Sequence, residues 1–303
     1  MYHQPVLLKE SLDGLNINPD GIYVDATFGG GGHSRKILEQ LNNGTLIAFD
    51  QDKEAEKNAF SDPRFIFIRH NFRYMKNFLK YMGYKQVDGI FADLGVSSYH
   101  FNSPERGFSF RFEGELDMRM NQNSKLTAKH IVNQYPEKDI FKILKDYGEL
   151  NKPGKIVKAI VETREEHNIN TTQQLVDTIT PYFPERFRNK MLAKIFQAFR
   201  IEVNREITTL KIFLNQSKEL LKPSGRLVVI SYHSIEDRLV KNFMKSGNTS
   251  GELHKDFYGN VASPFKLISK KIITPSEEEI QENNRARSAR MRIAEKEKEE
   301  EQV

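Results

Sequence analysis

The chain has 303 residues and no cysteine, which excludes disulfides, thiolate zinc sites, iron–sulfur clusters and a thiol nucleophile. Its 46 Lys+Arg and 41 Asp+Glu give a formal net charge of +5, a mild bias toward anionic partners. Hydrophobic residues make up 38% of the chain, without a run near the ~20 apolar residues of a membrane span, and the first residues do not resemble a secretory signal. We therefore expect a cytoplasmic globular protein with no membrane partner.

The first predicted elements are a strand over residues 21–26, a glycine-rich loop, a helix over 34–41, and a strand over 45–50 that ends in Asp50. Glycine lets the backbone turn with positive φ and lets a ligand approach closely. A carboxylate after the second strand can accept hydrogen bonds from two ribose hydroxyls, and it is expected roughly 20 residues after the loop. Asp50 follows Gly31 at about that distance, so the pattern predicts a nucleotide-cofactor site.

The loop leaves three interpretations open: a site for S-adenosylmethionine, a site for a nicotinamide or flavin dinucleotide, and a flexible turn without a ligand. A dinucleotide fingerprint needs G-x-G-x-x-G or G-x-G-x-x-A. Gly29 and Gly31 supply the first two positions, but Ser34 stands at the third, where a glycine or alanine allows the helix to pack closely on the strand. This difference favours S-adenosylmethionine.

Further apolar runs predict strands over residues 64–69, 87–93 and 225–231, with helices over 53–60 and 73–81. Alternating strands and helices predict a parallel, doubly wound α/β sheet. Ligands of such sheets bind outside the carboxyl ends of the strands. Polar residues cluster at those ends, namely Asp25, Thr27, Asp50, Asp93 and residues 70–72 and 231–233.

Helical periodicity replaces this alternation between Asp93 and Gly225. Apolar stripes with spacings of three and four occur at Ile140, Ile143, Leu144 and Tyr147, at Ile156, Val157, Ile160 and Val161, and at Leu192, Ile195, Phe196, Phe199 and Val203. We interpret them as the core of an inserted all-helical domain, with Thr171 or Thr172 capping one helix. The predicted domains are a discontinuous S-adenosylmethionine-binding domain over residues 1–104 and 205–303 and an insertion over 105–204, with a disordered tail from about 295 to 303.

The last third of the chain contains a turn, a helix-capping pattern and a run of arginines. Residues 222–225 predict a turn before the fifth strand, and Ser234 and Asp237 form a capping-box pattern after it. His233 either faces the crevice or hydrogen-bonds a neighbouring loop. The four arginines within residues 285–292, together with Arg106, Arg111 and Arg119, are candidate phosphate contacts.

Asp93 is the candidate catalytic residue. The exocyclic amine of cytosine or adenine is a weak nucleophile because its lone pair is delocalised into the ring. A carboxylate after the fourth strand can accept hydrogen bonds from this amine and orient it toward the methyl group of S-adenosylmethionine. The amine can then lose its proton after the methyl group has been transferred, and no metal is needed. The alternative for Asp93, as for Ser97 and Ser98, is a cap of a turn or helix.

Ten segments carry a resemblance that extends over nearly the whole chain. They are residues 3–8, 25–34, 49–52, 88–98, 105–110, 116–120, 147–149, 196–201, 231–238 and 284–290. In this order they resemble the RsmH (MraW) family of bacterial ribosomal RNA small-subunit methyltransferases. The resemblance implies a class I (Rossmann-like) methyltransferase with a doubly wound sheet and an inserted all-helical domain. It further implies methyl transfer from S-adenosyl-L-methionine to N4 of one cytidine in the decoding centre of 16S rRNA, position 1402 in the usual rRNA numbering, with S-adenosyl-L-homocysteine as product.

Matching positions imply a set of cofactor contacts: Gly31, Gly32, His33, Asp50, Phe72, Asp93 and His100. The family often has glutamine at the position of His100. The resemblance implies 16S rRNA in the small ribosomal subunit as the partner. We expect the helical insertion to recognise this RNA. The reaction requires no metal, and a homodimer is compatible with it.

The base-stacking residue is not identified by the resemblance. Tyr99, Phe101, Phe108 and Phe110 are candidates to stack a cytosine that has been extruded from its own stack. Two alternative functions stay open: a nicotinamide-dependent oxidoreductase, and a ribosome assembly factor that keeps a cofactor pocket without turnover.

Overall fold

The computed structural model describes residues 5–95, 103–253 and 263–298, and its contacts divide the chain into two compact units. The sheet unit comprises Met1–Gly95 and Thr208–Val303, and the helical unit comprises Val96–Ile207. The domain boundaries at 104/105 and 204/205 stay a prediction, because a division by contacts does not test whether each part folds as a domain.

The described residues of the sheet unit form a seven-stranded sheet in the order β3-β2-β1-β4-β5-β7-β6. The strands are β1 (Ile22–Asp25), β2 (Thr45–Phe49), β3 (Phe65–Ile68), β4 (Val87–Asp93), β5 (Leu221–Ser231), β6 (Phe265–Leu267) and β7 (Arg290–Lys296). The five predicted strands are confirmed, and their order β3-β2-β1-β4-β5 is that of a Rossmann-like doubly wound α/β sheet. The turn predicted over residues 222–225 lies within β5, where a shift in register leaves these residues unpaired with β4.

The expectation of an all-parallel sheet is wrong at one edge. β7 runs antiparallel to β5, and β6 runs antiparallel to β7. The signal was present in the sequence, since Met291 and Ile293 are buried and alternate with Arg290 and Arg292. Such period-two alternation is typical of a strand, although the density of arginines favoured a different interpretation.

Two hydrophobic cores lie on the two faces of this sheet, because successive side chains of a strand point to opposite sides. In β5, for example, Leu227 and Val229 belong to one core, whereas Val228 and Ile230 belong to the other. Helices α1 (Leu8–Leu15) and α2 (Gly32–Leu38) cover one face, and α3 (Met75–Tyr81), α9 (Glu206–Leu220, here its part from Thr208) and α10 (Ser234–Ser246) cover the other. A short helix, α11 (Glu277–Glu282), precedes β7.

The helical unit has a core of its own. Its α-helices are α4 (Ala128–Gln134), α5 (Glu137–Asp146), α6 (Gly154–Glu166), α7 (Thr172–Ile179) and α8 (Arg188–Asn204), with 3-10 turns at Pro104–Arg106, Thr180–Tyr182 and Glu185–Phe187. The three predicted apolar stripes all pack in this core, as expected. Thr171 is the residue that caps α7, and it forms a capping box with Gln174.

Three local predictions need correction. The helix expected over residues 53–60 is only a 3-10 turn at Ala55–Asn58. Helix α10 is capped by His233 instead of Ser234, which is its first helical residue. A disordered tail was expected from about residue 295, but β7 continues to Lys296. Glu295 forms an ion pair with Arg226 at 2.8 Å. Residues 299–303 lie outside the described residues.

Within the described residues, every helix is too short or too polar to cross a bilayer.

Candidate active site

Three acidic residues lie at the carboxyl ends of neighbouring parallel strands. Asp25 ends β1, Asp50 directly follows β2, and Asp93 ends β4. Because these strands are adjacent and parallel, their ends meet at the same edge of the sheet, which is where doubly wound folds bind ligands.

The glycine loop between β1 and α2 has no room for side chains at two positions. Gly31 is the N-cap of α2 and has a φ of 77°, and a Cβ added there would lie 2.9 Å from Cζ of Phe28. A Cβ on Gly32 would lie 2.4 Å from Cγ of Pro5. The first N–H groups of a helix have no acceptor within the helix, so this loop can offer backbone donors to a ligand that approaches closely.

Asp50 links the second strand to this loop. Its Oδ2 accepts the backbone N–H of Gly29 at 2.8 Å, and its Oδ1 accepts that of Asp52 at 2.8 Å. Asn58 donates to the carbonyl oxygen of Gly29 at 3.1 Å. Asp50 therefore fixes the glycine loop relative to the end of β2.

His33 is buried, and its side chain has a structural role. Its Nε2 lies 2.9 Å from the carbonyl oxygen of Val6, which can only accept, so Nε2 carries the proton and donates. The ring centroid lies 4.5 Å from that of Phe91, and burial lowers the pKa of His33 to about 4. The cofactor contact expected at this position would therefore come from the backbone.

A chain of hydrogen bonds joins Asp25 to Asp93. Ser34 Oγ donates to Asp25 Oδ2 at 2.6 Å, and the Thr27 N–H donates to Asp25 Oδ1 at 2.9 Å. The Thr27 hydroxyl lies 3.5 Å from Asp25 Oδ1 and accepts the Asp93 N–H at 2.6 Å. Burial is the largest cause that raises the pKa of Asp25, to about 6, and the bonds from Ser34 and Thr27 oppose it.

The Asp93 carboxyl group has an unused acceptor. Its Oδ1 is buried and has no hydrogen-bond partner within the described residues. Burial raises the pKa of Asp93 to about 7, a hydrogen bond from the Tyr232 side chain lowers it, and the charges of Asp25 and Glu236 raise it further. A buried acceptor without a partner is costly, and in a native site it often marks a ligand position.

The motif search did not identify Tyr232 and Glu236 as parts of this site. Burial raises the pKa of Tyr232 well above its usual value, and the charge of Asp93 raises it further. Glu236 is buried, and its Oε2 accepts the Tyr232 N–H at 3.0 Å. The signal in the sequence is the polar run that follows β5, in which the predictions concern His233, Ser234 and Asp237.

His233 contacts its own helix. Its Nδ1 accepts the Glu236 N–H at 3.4 Å, and its Nε2 lies 3.2 Å from Glu236 Oε1 in an orientation too poor for a hydrogen bond. These contacts lie within the first turn of α10, so the bond to a neighbouring loop that one interpretation expected is not among those that the structure describes.

The structure places Phe72 at the start of a 3-10 turn after β3, where it packs edge-on against Phe213 with ring centroids 5.2 Å apart. It is half-buried, so one part of the ring can still form an apolar wall. The predicted contact at His100, and the stacking candidates Tyr99 and Phe101, lie outside the described residues.

The other two stacking candidates belong to the helical unit and pack inside it. Phe108 is buried, and Phe110 packs against Phe196 with ring centroids 5.7 Å apart. The burial of Phe108 argues against a stacking role for it, whereas stacking by the half-buried Phe110 stays a prediction.

Arginines predicted to contact phosphate are partly engaged elsewhere. Arg106 is 4% exposed and donates to the carbonyl oxygens of Arg119 and Met120, and Arg119 forms a bidentate pair with Asp117. In the sheet unit, Arg292 pairs with Asp237 at 2.7 Å, which also replaces the capping role expected for Asp237. Arg290 also lies within ion-pair distance of Asp237, at 3.5 Å. The phosphate prediction is therefore corrected for the buried or paired Arg106, Arg119, Arg290 and Arg292, and it stays a prediction for the exposed Arg111, Arg285 and Arg287.

Comparison with known proteins agrees with the order of motifs in the chain. A profile of the MraW methylase family matches residues 1–297. The ribosomal RNA small subunit methyltransferase H of Flavobacterium johnsoniae is 57% identical over 296 residues, which cover 97% of this chain and 98% of the relative. The enzyme of the same name from Bacteroides thetaiotaomicron is 56% identical over 296 residues, with 97% of both chains covered.

Among solved structures, an rRNA methylase from Streptococcus thermophilus aligns with 98% of this chain and 99% of its own, at 12% identity and a TM-score of 0.43.

Proposed function

The chain belongs to the MraW methylase family, and on that premise we propose that it transfers a methyl group from S-adenosylmethionine to N4 of one cytidine in the decoding centre of 16S rRNA. The relatives that share more than half of its residues are named for methylation of small-subunit ribosomal RNA. The observation that carries the proposal is the buried, unpaired Oδ1 of Asp93 at the carboxyl end of β4.

The residues at the edge of the sheet fit S-adenosylmethionine. Gly31 and Gly32 let the loop pack tightly against Phe28 and Pro5, and the first backbone N–H groups of α2, at and after His33, would donate to the cofactor. Asp50 would accept from the ribose hydroxyls, and Phe72 would lie against the adenine. When bound, this cofactor supplies the electrophilic methyl group and leaves as S-adenosylhomocysteine. All these cofactor contacts are predictions, and so are those at Asp93 and His100.

Asp93 would act on the cytosine amine. A carboxylate oxygen without a partner can accept a hydrogen bond from an N4–H group and hold the lone pair of N4 toward the methyl donor. The methylated amine must then lose a proton, and a group whose pKa is about 7 is suited to take it at neutral pH. Tyr232 acts through Asp93, because its hydrogen bond helps to set that pKa.

The family membership argues against the alternative of a nicotinamide-dependent oxidoreductase. Ser34 supports the same conclusion, since the third position of the dinucleotide fingerprint holds a hydroxyl that is bonded to Asp25. The proposed partner is 16S rRNA within the small ribosomal subunit, recognised by the helical unit, in the cytoplasm. A homodimer is compatible with this proposal and is not required by it.

The test is methyl transfer to small ribosomal subunits taken from cells that lack this protein, with S-adenosylmethionine labelled in the methyl group. We expect label in 16S rRNA and, in parallel calorimetry, binding of S-adenosylmethionine but not of NAD. Binding of the cofactor without label in subunits or free rRNA would instead support the non-catalytic assembly factor.

A further inference from the structure

The helical unit carries a groove of about 490 Å³. Its rim includes the residues just before α6, the 3-10 turn at Thr180–Tyr182, and the first half of α8. The volume falls in the range of about 300–1,000 Å³ that ligand sites occupy. We call it the lysine groove and define it by Lys152, Lys155, Tyr182 and Lys194.

The charge of the groove is positive, since three lysines and one glutamate, Glu149, line it. Lys152 and Lys155 are exposed, and the described part of the helical unit brings no carboxylate within ion-pair distance of either one. Lys194 is half-buried and held in place, because its Nζ donates to the carbonyl oxygen of Glu149 at 3.4 Å. The groove therefore presents cations whose charge the surrounding protein leaves available to an anion.

Its walls also include aromatic and apolar side chains. Tyr182 is 45% exposed, and Phe183 beside it packs against the core of the unit. Leu150 and Ile156 are buried among the lining residues. An exposed aromatic ring beside lysines is the combination that binds unpaired nucleotides, since the ring stacks on a base and the cations contact phosphates.

We propose that the lysine groove holds an unpaired nucleotide of the 16S rRNA substrate, with its base stacked on Tyr182 and its flanking phosphates against Lys152 and Lys155. This inference rests on the proposed function, because that function supplies the RNA. An acidic protein segment would also satisfy the charge, but it would not explain the exposed ring.

The first experiment measures the dissociation constant for small ribosomal subunits over a range of salt concentrations. The double variant Lys152→Ala/Lys155→Ala should bind on the order of tenfold more weakly, and the slope of log K against log salt should fall by about 1.4, the value for two contacts to single-stranded phosphates. Tyr182→Ala should weaken binding roughly 5- to 150-fold, whereas Tyr182→Phe should bind like the wild type because the ring is kept.

Matched controls separate a local effect from a loss of charge. Lys129→Ala/Lys158→Ala removes two exposed lysines of the same unit that pair with Glu115 and Glu162, so its affinity and salt slope should stay near those of the wild type. Binding of S-adenosylmethionine should be unchanged in every variant, which shows that the sheet unit is folded, and an unchanged helix content by circular dichroism shows the same for the helical unit. Equal loss of affinity in the control and the groove variants would overturn the proposal.

A photo-crosslinking amino acid placed at position 182 identifies the occupant. Crosslinks to 16S rRNA are expected, and crosslinks to a ribosomal protein, or none, would overturn the inference. The proposed function is tested separately with the wild-type protein. Intact methyl transfer by all groove variants would reject only the role proposed for the lysine groove, whereas absence of transfer by the wild type would reject the proposed function.

Discussion

The hydroxyl of Ser34 donates a hydrogen bond of 2.6 Å to Oδ2 of Asp25, and both residues are 1% exposed or less. Ser34 occupies the position where a dinucleotide fingerprint would have its third glycine. The departure from the dinucleotide motif thus has a structural reason, because the hydrogen bond from the serine partly offsets the free-energy cost of burying a carboxyl group at the end of β1.

Asp25 should make stability depend on pH. Its pKa is raised from 3.8 to about 6 in the folded protein, so the folded state binds more protons than the unfolded state between these pH values. The stability that comes from this proton binding is fully present below pH 4 and is lost as pH rises through 6. Asp25→Asn cannot ionise. Its free energy of unfolding relative to wild type should therefore rise by up to about 3 kcal/mol between pH 4 and pH 7, measured by urea denaturation.

Using the difference between variant and wild type removes the contributions of groups that do not interact with Asp25. The exposed Asp13 provides the control, since Asp13→Asn should show no comparable trend. A pH-independent difference for Asp25→Asn would contradict the burial that the structure gives this carboxyl group.

Ser34→Ala should destabilise the protein by about 1–3 kcal/mol at pH 7, because it leaves a buried carboxylate with one donor fewer. Ser217→Ala is the matched control. Ser217 is equally buried, but its hydroxyl donates only to the carbonyl oxygen of Phe213, at 2.9 Å, so the expected loss is smaller and independent of pH. Equal losses for the two variants at pH 7 would argue against a special role for the bond between Ser34 and Asp25.

Gly32→Ala should weaken cofactor binding by tenfold or more, since the added Cβ would lie 2.4 Å from the Pro5 ring and shift the loop. Gly154→Ala makes the same change at the first residue of α6, where the added Cβ would have no atom from another part of the chain within 4 Å, so it should have little effect. Calorimetric titration with S-adenosylmethionine distinguishes the two. Normal binding by Gly32→Ala would mean that the glycine loop is not the cofactor cradle.

Tyr232→Phe should move the pH profile of kcat/KM to higher pH. The hydrogen bond from Tyr232 lowers the pKa of Asp93, so its removal raises that pKa above its value of about 7, and the ionised acceptor forms only at higher pH. Tyr81→Phe, at a side chain that is 90% exposed, should leave the profile unchanged. A purely structural role for Tyr232 would lower the rate without shifting the profile.

The sequence predicted those parts of the fold that local patterns specify. Five buried strands, a glycine loop and three helical stripes were identified because each repeats with a clear period or has a marked turn. β7 was missed because its outward positions are arginines, although Met291 and Ile293 alternate inward. Within β7 the arginines reflect pairing and not ligand binding, because Arg290 and Arg292 both pair with Asp237.

In the site, the sequence placed Asp25, Asp50 and Asp93 at one edge of a sheet, but not their partners. The approach of Tyr232 to Asp93 depends on the pairing of β4 with β5, in which Asp93 lies opposite Ile230. Such register joins segments that are far apart in the chain, and no local spacing reports it. The inward position of the His33 side chain likewise follows from tertiary packing against Val6 and Phe91.

The most direct test of the central claim maps modified nucleosides in 16S rRNA by mass spectrometry, after small subunits from cells lacking this protein are incubated with S-adenosylmethionine and either wild-type protein or Asp93→Asn. We predict N4-methylcytidine at a single decoding-centre position with the wild type, and its loss with Asp93→Asn. Absence of N4-methylcytidine with the wild type, or equal methylation by Asp93→Asn, would contradict the account.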